Sequence, residues 1–91
     1  MATERLDVRF TGHVQGVGFR YQTQSLARRR PVTGFVRNLP DGSVRLVVEG
    51  EAGEVSGLVA DVQRTLDGYI QETLVNRQPA SGEFTGFEIR Q

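Results

Sequence analysis

From Asp7 to Val14 the chain alternates: Val8, Phe10, Gly12 and Val14 are apolar or small, while Asp7, Arg9, Thr11 and His13 are polar. A period of two with one apolar face predicts a half-buried strand. The period changes after the glycines at Gly16 and Gly18. From Arg20 to about Arg30 a helix is expected, its face formed by Phe19, Thr23, Leu26, Ala27 and Arg30 and apolar only in part. Pro31 stops it, because the residue before a proline avoids the α region. Val32 to Leu39 predicts a second strand, with Asn38 near its end. Pro40-Asp41-Gly42 is a hairpin signal, followed by a third strand from Ser43 to Glu49 whose inward face is Val44, Leu46 and Val48. Gly50 to Gly53 reads as a polar turn. Val55, Leu58, Val59, Val62 and Leu66 then form the cleanest amphipathic helix in the chain, closed by Asp67-Gly68. Ile70 to Arg77 and Phe84 to Arg90 read as two further strands, joined by the polar segment 78–83.

The resulting order is β-α-β-β-α-β with a short extra strand at the C-terminus. This is the split βαβ, ferredoxin-like arrangement: an α+β fold with an antiparallel sheet and both helices on one face. No repeat, low-complexity tract or internal linker interrupts it, so residues 1–91 are expected to form one domain with a single modest core.

Charge narrows the function. Lysine plus arginine and aspartate plus glutamate each number 11, which argues against a protein that coats nucleic acid or an anionic membrane. The chain has no cysteine, hence no disulfide framework, thiol nucleophile or zinc-thiolate site. Residues 1–7 hold no apolar stretch resembling a signal peptide, and no transmembrane run follows. A cytoplasmic domain is expected.

The candidate chemistry lies in Gln15-Gly16-Val17-Gly18-Phe19-Arg20. Glycine tolerates positive φ and lets the main chain approach a ligand closely. Successive N–H groups of such a turn can point into one concavity, and the following helix adds its positive dipole end. Arg20, at the helix start, contributes a fixed cation and a fork of donors. A small tetrahedral dianion, a phosphoryl group, fits that assembly. A bare Gly-x-Gly, however, more often marks only a turn that needs glycine. His13, the one histidine, falls on the polar strand face without acidic or imidazole partners and reads as a solvated surface residue. Arg28-Arg29-Arg30 reads as a solvated last helical turn, where cations favour the C-terminus.

The run Thr11-Gly12-His13-Val14-Gln15-Gly16-Val17-Gly18-Phe19-Arg20 resembles the signature of the acylphosphatase family. So do Thr33-Gly34-Phe35-Val36-Arg37-Asn38, Asp41-Gly42-Ser43-Val44 and Glu49-Gly50, in the family's order and spacing across residues 8–50. The resemblance implies that the amides of Gln15, Gly16, Val17, Gly18, Phe19 and Arg20 cradle the phosphoryl group. It further implies that the Arg20 guanidinium clamps phosphoryl oxygens and that Asn38 positions the attacking water. The implied reaction is hydrolysis of a carboxyl-phosphate mixed anhydride to carboxylate and phosphate, by a monomer acting on small acyl phosphates. The chain departs from the family pattern at Arg30-Pro31, where an apolar residue and glycine are usual, at Phe35, where tryptophan is common, and at Gly68-Tyr69 in place of Gly-Pro. Its C-terminal portion matches weakly, and the chain ends in Gln91 rather than the frequent terminal aromatic.

The chemistry is consistent on its own terms. A carboxylate leaving group needs no general acid, and a loose phosphoryl-transfer transition state asks mainly for positioning and charge stabilisation. Backbone amides, one arginine and one water-orienting amide supply that, so neither metal nor cofactor is expected. Two alternatives share the fold. One is a single-stranded RNA-binding domain, faintly suggested by Gly34-Phe35-Val36 but opposed by zero net charge and few aromatics. The other is a noncatalytic acylphosphatase-like module of the kind that opens larger hydrogenase-maturation proteins, against which stand both Arg20 and Asn38 and the end of the chain at Gln91 with no attached domain.

Overall fold

The computed structural model describes residues 2–91. The elements are β1 (Thr3–Gly12), α1 (Phe19–Ala27), β2 (Thr33–Asn38), β3 (Val44–Glu51), α2 (Ala52–Thr65), a single 3-10 turn (Asp67–Tyr69), β4 (Ile70–Pro79) and β5 (Phe87–Arg90). The strands form one sheet in the order β4-β1-β3-β2-β5. Four of them pair antiparallel as expected, but β5 lies parallel to β2, so the sheet is mixed. The chain reaches that edge through a long irregular connection after Pro79, which lets β5 run either way along β2.

The core lies between one face of the sheet and the two helices. Leu6, Val8 and Phe10 of β1 stand directly opposite Val48, Leu46 and Val44 of β3. All six are buried, and they pack with Phe19 and Ala27 of α1 and with Val55, Leu58, Val59 and Val62 of α2. Burying each of the Val, Leu and Phe side chains stabilises the fold by about 1.5–3 kcal/mol relative to leaving it in water. The expected inward faces of β1, β3 and α2 are therefore the observed ones. One expectation fails at the junction of β3 and α2. The segment 50–53 is no turn: β3 runs to Glu51 and α2 starts at Ala52. The helix begins without a side-chain cap, so its docking on the sheet supplies the stability that local sequence lacks.

The Arg30-Pro31 departure has a structural counterpart. α1 stops at Ala27, so Arg28, Arg29 and Arg30 form turns after the helix rather than its last turn. Arg28 and Arg29 are exposed, but Arg30 is half-buried and crosses to α2. There it donates to Glu54 and to Asp61, each at 3.0 Å. Gly57 lies beneath it, and a Cβ there would collide with the guanidinium. The Val32 N–H then donates to the Arg30 carbonyl at 2.8 Å, a three-residue turn centred on Pro31 whose fixed φ suits it.

A second network closes the end of the molecule away from the glycine loop. Glu49, 4 % exposed, accepts hydrogen bonds from the Arg5 Nε at 2.7 Å and from the Ser81 N–H, the Ser81 hydroxyl and the Gly82 N–H at 2.9 Å. Burial pushes its carboxyl up, but those donors more than offset it and hold the pKa at about 2. The β4–β5 connection is thereby anchored to β3.

Candidate active site

The loop from His13 to Gly18 is fixed at both ends by the core. Val14 is fully buried, and the Phe19 ring packs against Phe10 with centroids 5.2 Å apart. Between these anchors Gly16 and Gly18 adopt φ of +79° and +78°. A Cβ on either would meet nothing within 4 Å, so backbone conformation, not crowding, demands glycine here. The same openness leaves the loop accessible.

Gly18 caps α1, which has neither a side-chain cap nor an acidic residue in its first turn. Among the hydrogen bonds of the described residues, none is donated by a backbone N–H from Gln15 to Tyr21. The first N–H groups of a helix have no acceptor within it. A run of orphan donors at a helix N-terminus makes an anion-binding surface.

The loop borders a concavity of about 150 Å³ lined by Val14, Gly16, Gly18, Phe19, Arg20, Tyr21 and Asn38. Arg20 is half-buried and, among the described residues, pairs with no carboxylate. Among the described residues its guanidinium makes one hydrogen bond, to the Arg90 carbonyl oxygen at 3.4 Å. Arg5, Arg30 and Arg45, by contrast, are all neutralised by acidic partners. Asn38 ends β2 opposite Val44, which puts it on the helix-covered side of the sheet. Its Oδ1 is buried and accepts no hydrogen bond from the described residues. An unpaired buried acceptor costs about 1–3 kcal/mol, so this position calls for a donor from outside the protein.

A model of the acylphosphatase family matches residues 6–89. The chain belongs to the acylphosphatase family. It is 46% identical over 89 residues to an acylphosphatase of Rubrobacter xylanophilus, covering 97% of this chain and 81% of that one. An acylphosphatase of Salinibacter ruber is 44% identical over 88 residues, with coverage of 96% and 93%. The crystal structure of the Bacillus subtilis acylphosphatase superposes with a TM-score of 0.87 at 28% identity, covering 97% of this chain and 99% of that one.

Within this acylphosphatase fold, Gly16, Gly18, Phe19, Arg20 and Asn38 of the residues singled out from sequence line one concavity, whereas Gln15 and Val17 do not. His13 is exposed and does not line it. Sequence reasoning missed two features. The Gln15 side chain turns away from the loop and donates to the carbonyl oxygens of Leu39 and Ser43 at 2.8 and 2.9 Å. That hairpin is itself stiffened by Asp41, whose Oδ1 accepts the Ser43 N–H at 2.9 Å and its hydroxyl at 2.5 Å, holding the Asp41 carboxyl below its usual range. Tyr21 is the other omission. Its place directly after Arg20, at a helix start, was the available signal.

Proposed function

We propose that this chain hydrolyses acyl phosphates, with the loop amides of Gln15 to Arg20 and the Arg20 guanidinium holding the phosphoryl group and Asn38 orienting the attacking water. The observation that carries the reading is the meeting, in one concavity, of amides without acceptors, an arginine without a carboxylate and a buried amide oxygen without a donor. Each lacks what an acyl phosphate and one water would bring.

In this mechanism the dianionic phosphoryl group sits against the amides and the fork of Arg20, where charge-assisted bonds are strongest. Water attacks phosphorus while the bond from phosphorus to the acyl oxygen breaks. The carboxylate leaves without protonation, and the water's proton passes to a phosphoryl oxygen of the substrate. Asn38 is not basic; its part is alignment. Preorganised donors around developing charge supply the rest of the acceleration.

The acting unit in this reading is the 1–91 domain as a monomer in the cytoplasm, with no metal, cofactor or nucleic-acid partner. The RNA-binding alternative loses its main feature, because Phe35 is only 6 % exposed and Arg90 lies 4.1 Å over its ring. That covered ring is not free to stack on a base. No helix among the described residues is long and apolar enough to cross a membrane.

The test is steady-state turnover of benzoyl phosphate by the purified chain, with and without a chelator. Hydrolysis unaffected by chelation and inhibited competitively by phosphate is the expected result. Phosphate binding without turnover would instead identify a noncatalytic module. Chelator-sensitive activity restored by magnesium would overturn the metal-free mechanism.

A further inference from the structure

The concavity of about 150 Å³ is smaller than the 300–1,000 Å³ typical of sites that enclose a whole ligand. It has room for a phosphoryl group and a water, so the acyl portion of a substrate must lie over the rim. The rim is mostly backbone: Gly16 and Gly18 carry no side chain, and nothing within 4 Å stands where their Cβ atoms would be. Arg20 is committed to the anion. The remaining exposed side chain at the site is Tyr21, 74 % exposed in the first turn of α1 and a lining residue of the same concavity. Among the described residues it is the most exposed large hydrophobic, and its hydroxyl makes no hydrogen bond within the protein. The helix docks through Phe19, Thr23 and Ala27, so nothing in the packing of α1 needs an aromatic ring at position 21.

We propose that Tyr21 is the specificity-determining contact for the acyl group, and that it favours acyl phosphates whose acyl portion is planar and aromatic over those with a short alkyl group. This rests on the acylphosphatase reading of the site. An aromatic ring at the rim offers an offset-stacked or edge contact to a planar acyl group, and almost none to a methyl. The position adjoining Arg20 places that contact at the rim, where the acyl portion must lie.

The experiment compares kcat/KM for benzoyl phosphate and for acetyl phosphate in the wild-type chain, Tyr21→Ala and Tyr21→Phe, with phosphate inhibition and thermal midpoint measured alongside. Comparing the ratio of the two substrates between variants cancels their intrinsic reactivities. The benzoyl-to-acetyl ratio should fall by about three- to tenfold in Tyr21→Ala, the size of one aromatic pair, and hold within twofold in Tyr21→Phe. The phosphate inhibition constant should stay constant across all three. A ratio unchanged in Tyr21→Ala overturns the assignment, as does a matching fall for both substrates, which would make Tyr21 a support for the loop. Turnover of neither substrate by the wild-type chain would overturn the underlying reading itself, a result distinct from turnover with an unaltered ratio.

Discussion

The Gln15 side-chain nitrogen lies 2.8 Å from the Leu39 carbonyl oxygen, and this bond joins the glycine loop to the strand end that carries Asn38. A second bond from the same nitrogen, to Ser43 at 2.9 Å, spans the hairpin. The loop and Asn38 come from separate parts of the chain, and Gln15 sets their spacing. Replacing Gln15 by Leu removes both donors and should cost about 1–2 kcal/mol of stability. Gln15→Glu should cost more, since a carboxylate would face two carbonyl oxygens. Thermal midpoint and kcat should both fall in the order wild type, Gln15→Leu, Gln15→Glu. A Gln15→Glu variant as stable and active as the wild type would contradict this role.

Arg20 supplies the second prediction. Because no carboxylate neutralises it, its charge is available to a dianion, and Arg20→Ala should leave the fold intact. Losing a charge-assisted, two-pronged contact in a partly desolvated site costs about 2–5 kcal/mol, which corresponds to roughly 30- to 5,000-fold in kcat/KM. Competitive inhibition by phosphate should weaken in parallel. Arg20→Lys should recover little, because a point charge does not reproduce the fork. Near-normal phosphate inhibition in Arg20→Ala would remove Arg20 from the site.

Glu49 predicts the acid limb of stability. Its folded pKa of about 2 lies below the unfolded value near 4.5, so the folded state binds its proton less readily. The resulting stabilisation is complete above about pH 4.5 and is lost as pH falls through 2. Its size is on the order of 2–4 kcal/mol. In Glu49→Gln the difference in unfolding free energy from wild type should therefore be largest at neutral pH and shrink between pH 4.5 and 2. A difference constant across that range would mean that the carboxylate is not the source.

Much of this fold is legible because its signals are local. The alternation of Val8 and Phe10, and the helical spacing of Val55, Leu58, Val59 and Val62, report directly which side chains meet in the core. Gly16, Gly18 and Arg20 lie close together in sequence, so their shared place on one concavity is readable too. What escaped depends on distant partners. Arg30 reads as a solvated cation until Glu54 and Asp61 of α2 are seen beside it. Glu49 looks like a strand end until Arg5 and Ser81 converge on it. The segment Gly50–Gly53 looks like a turn because α2 owes its start to docking rather than to a cap. The direction of β5 along β2 and the inward turn of the Gln15 amide are likewise tertiary facts.

Asn38 separates binding from catalysis. Its Oδ1 is buried without a protein donor, although asparagines near turns usually bond to the adjacent backbone. Here the hairpin closes without Asn38: the Leu39 N–H donates to the Ser43 carbonyl oxygen at 2.9 Å and the Gly42 N–H to the Leu39 carbonyl oxygen at 3.1 Å. A turn-stabilising asparagine would lose stability on conversion to alanine and keep its turnover. An asparagine that aligns the water should do the reverse. Removing its unsatisfied acceptor should leave the thermal midpoint nearly unchanged or raise it slightly, since an orphan group is removed. kcat should fall by roughly 10²–10³, the scale of one lost transition-state donor. Phosphate inhibition should hold within about twofold, because Arg20 and the loop amides remain. Measuring kcat, phosphate inhibition and thermal midpoint on one Asn38→Ala preparation resolves the matter. A kcat within a few-fold of wild type, with a lowered midpoint, would make Asn38 structural and assign the water to another group.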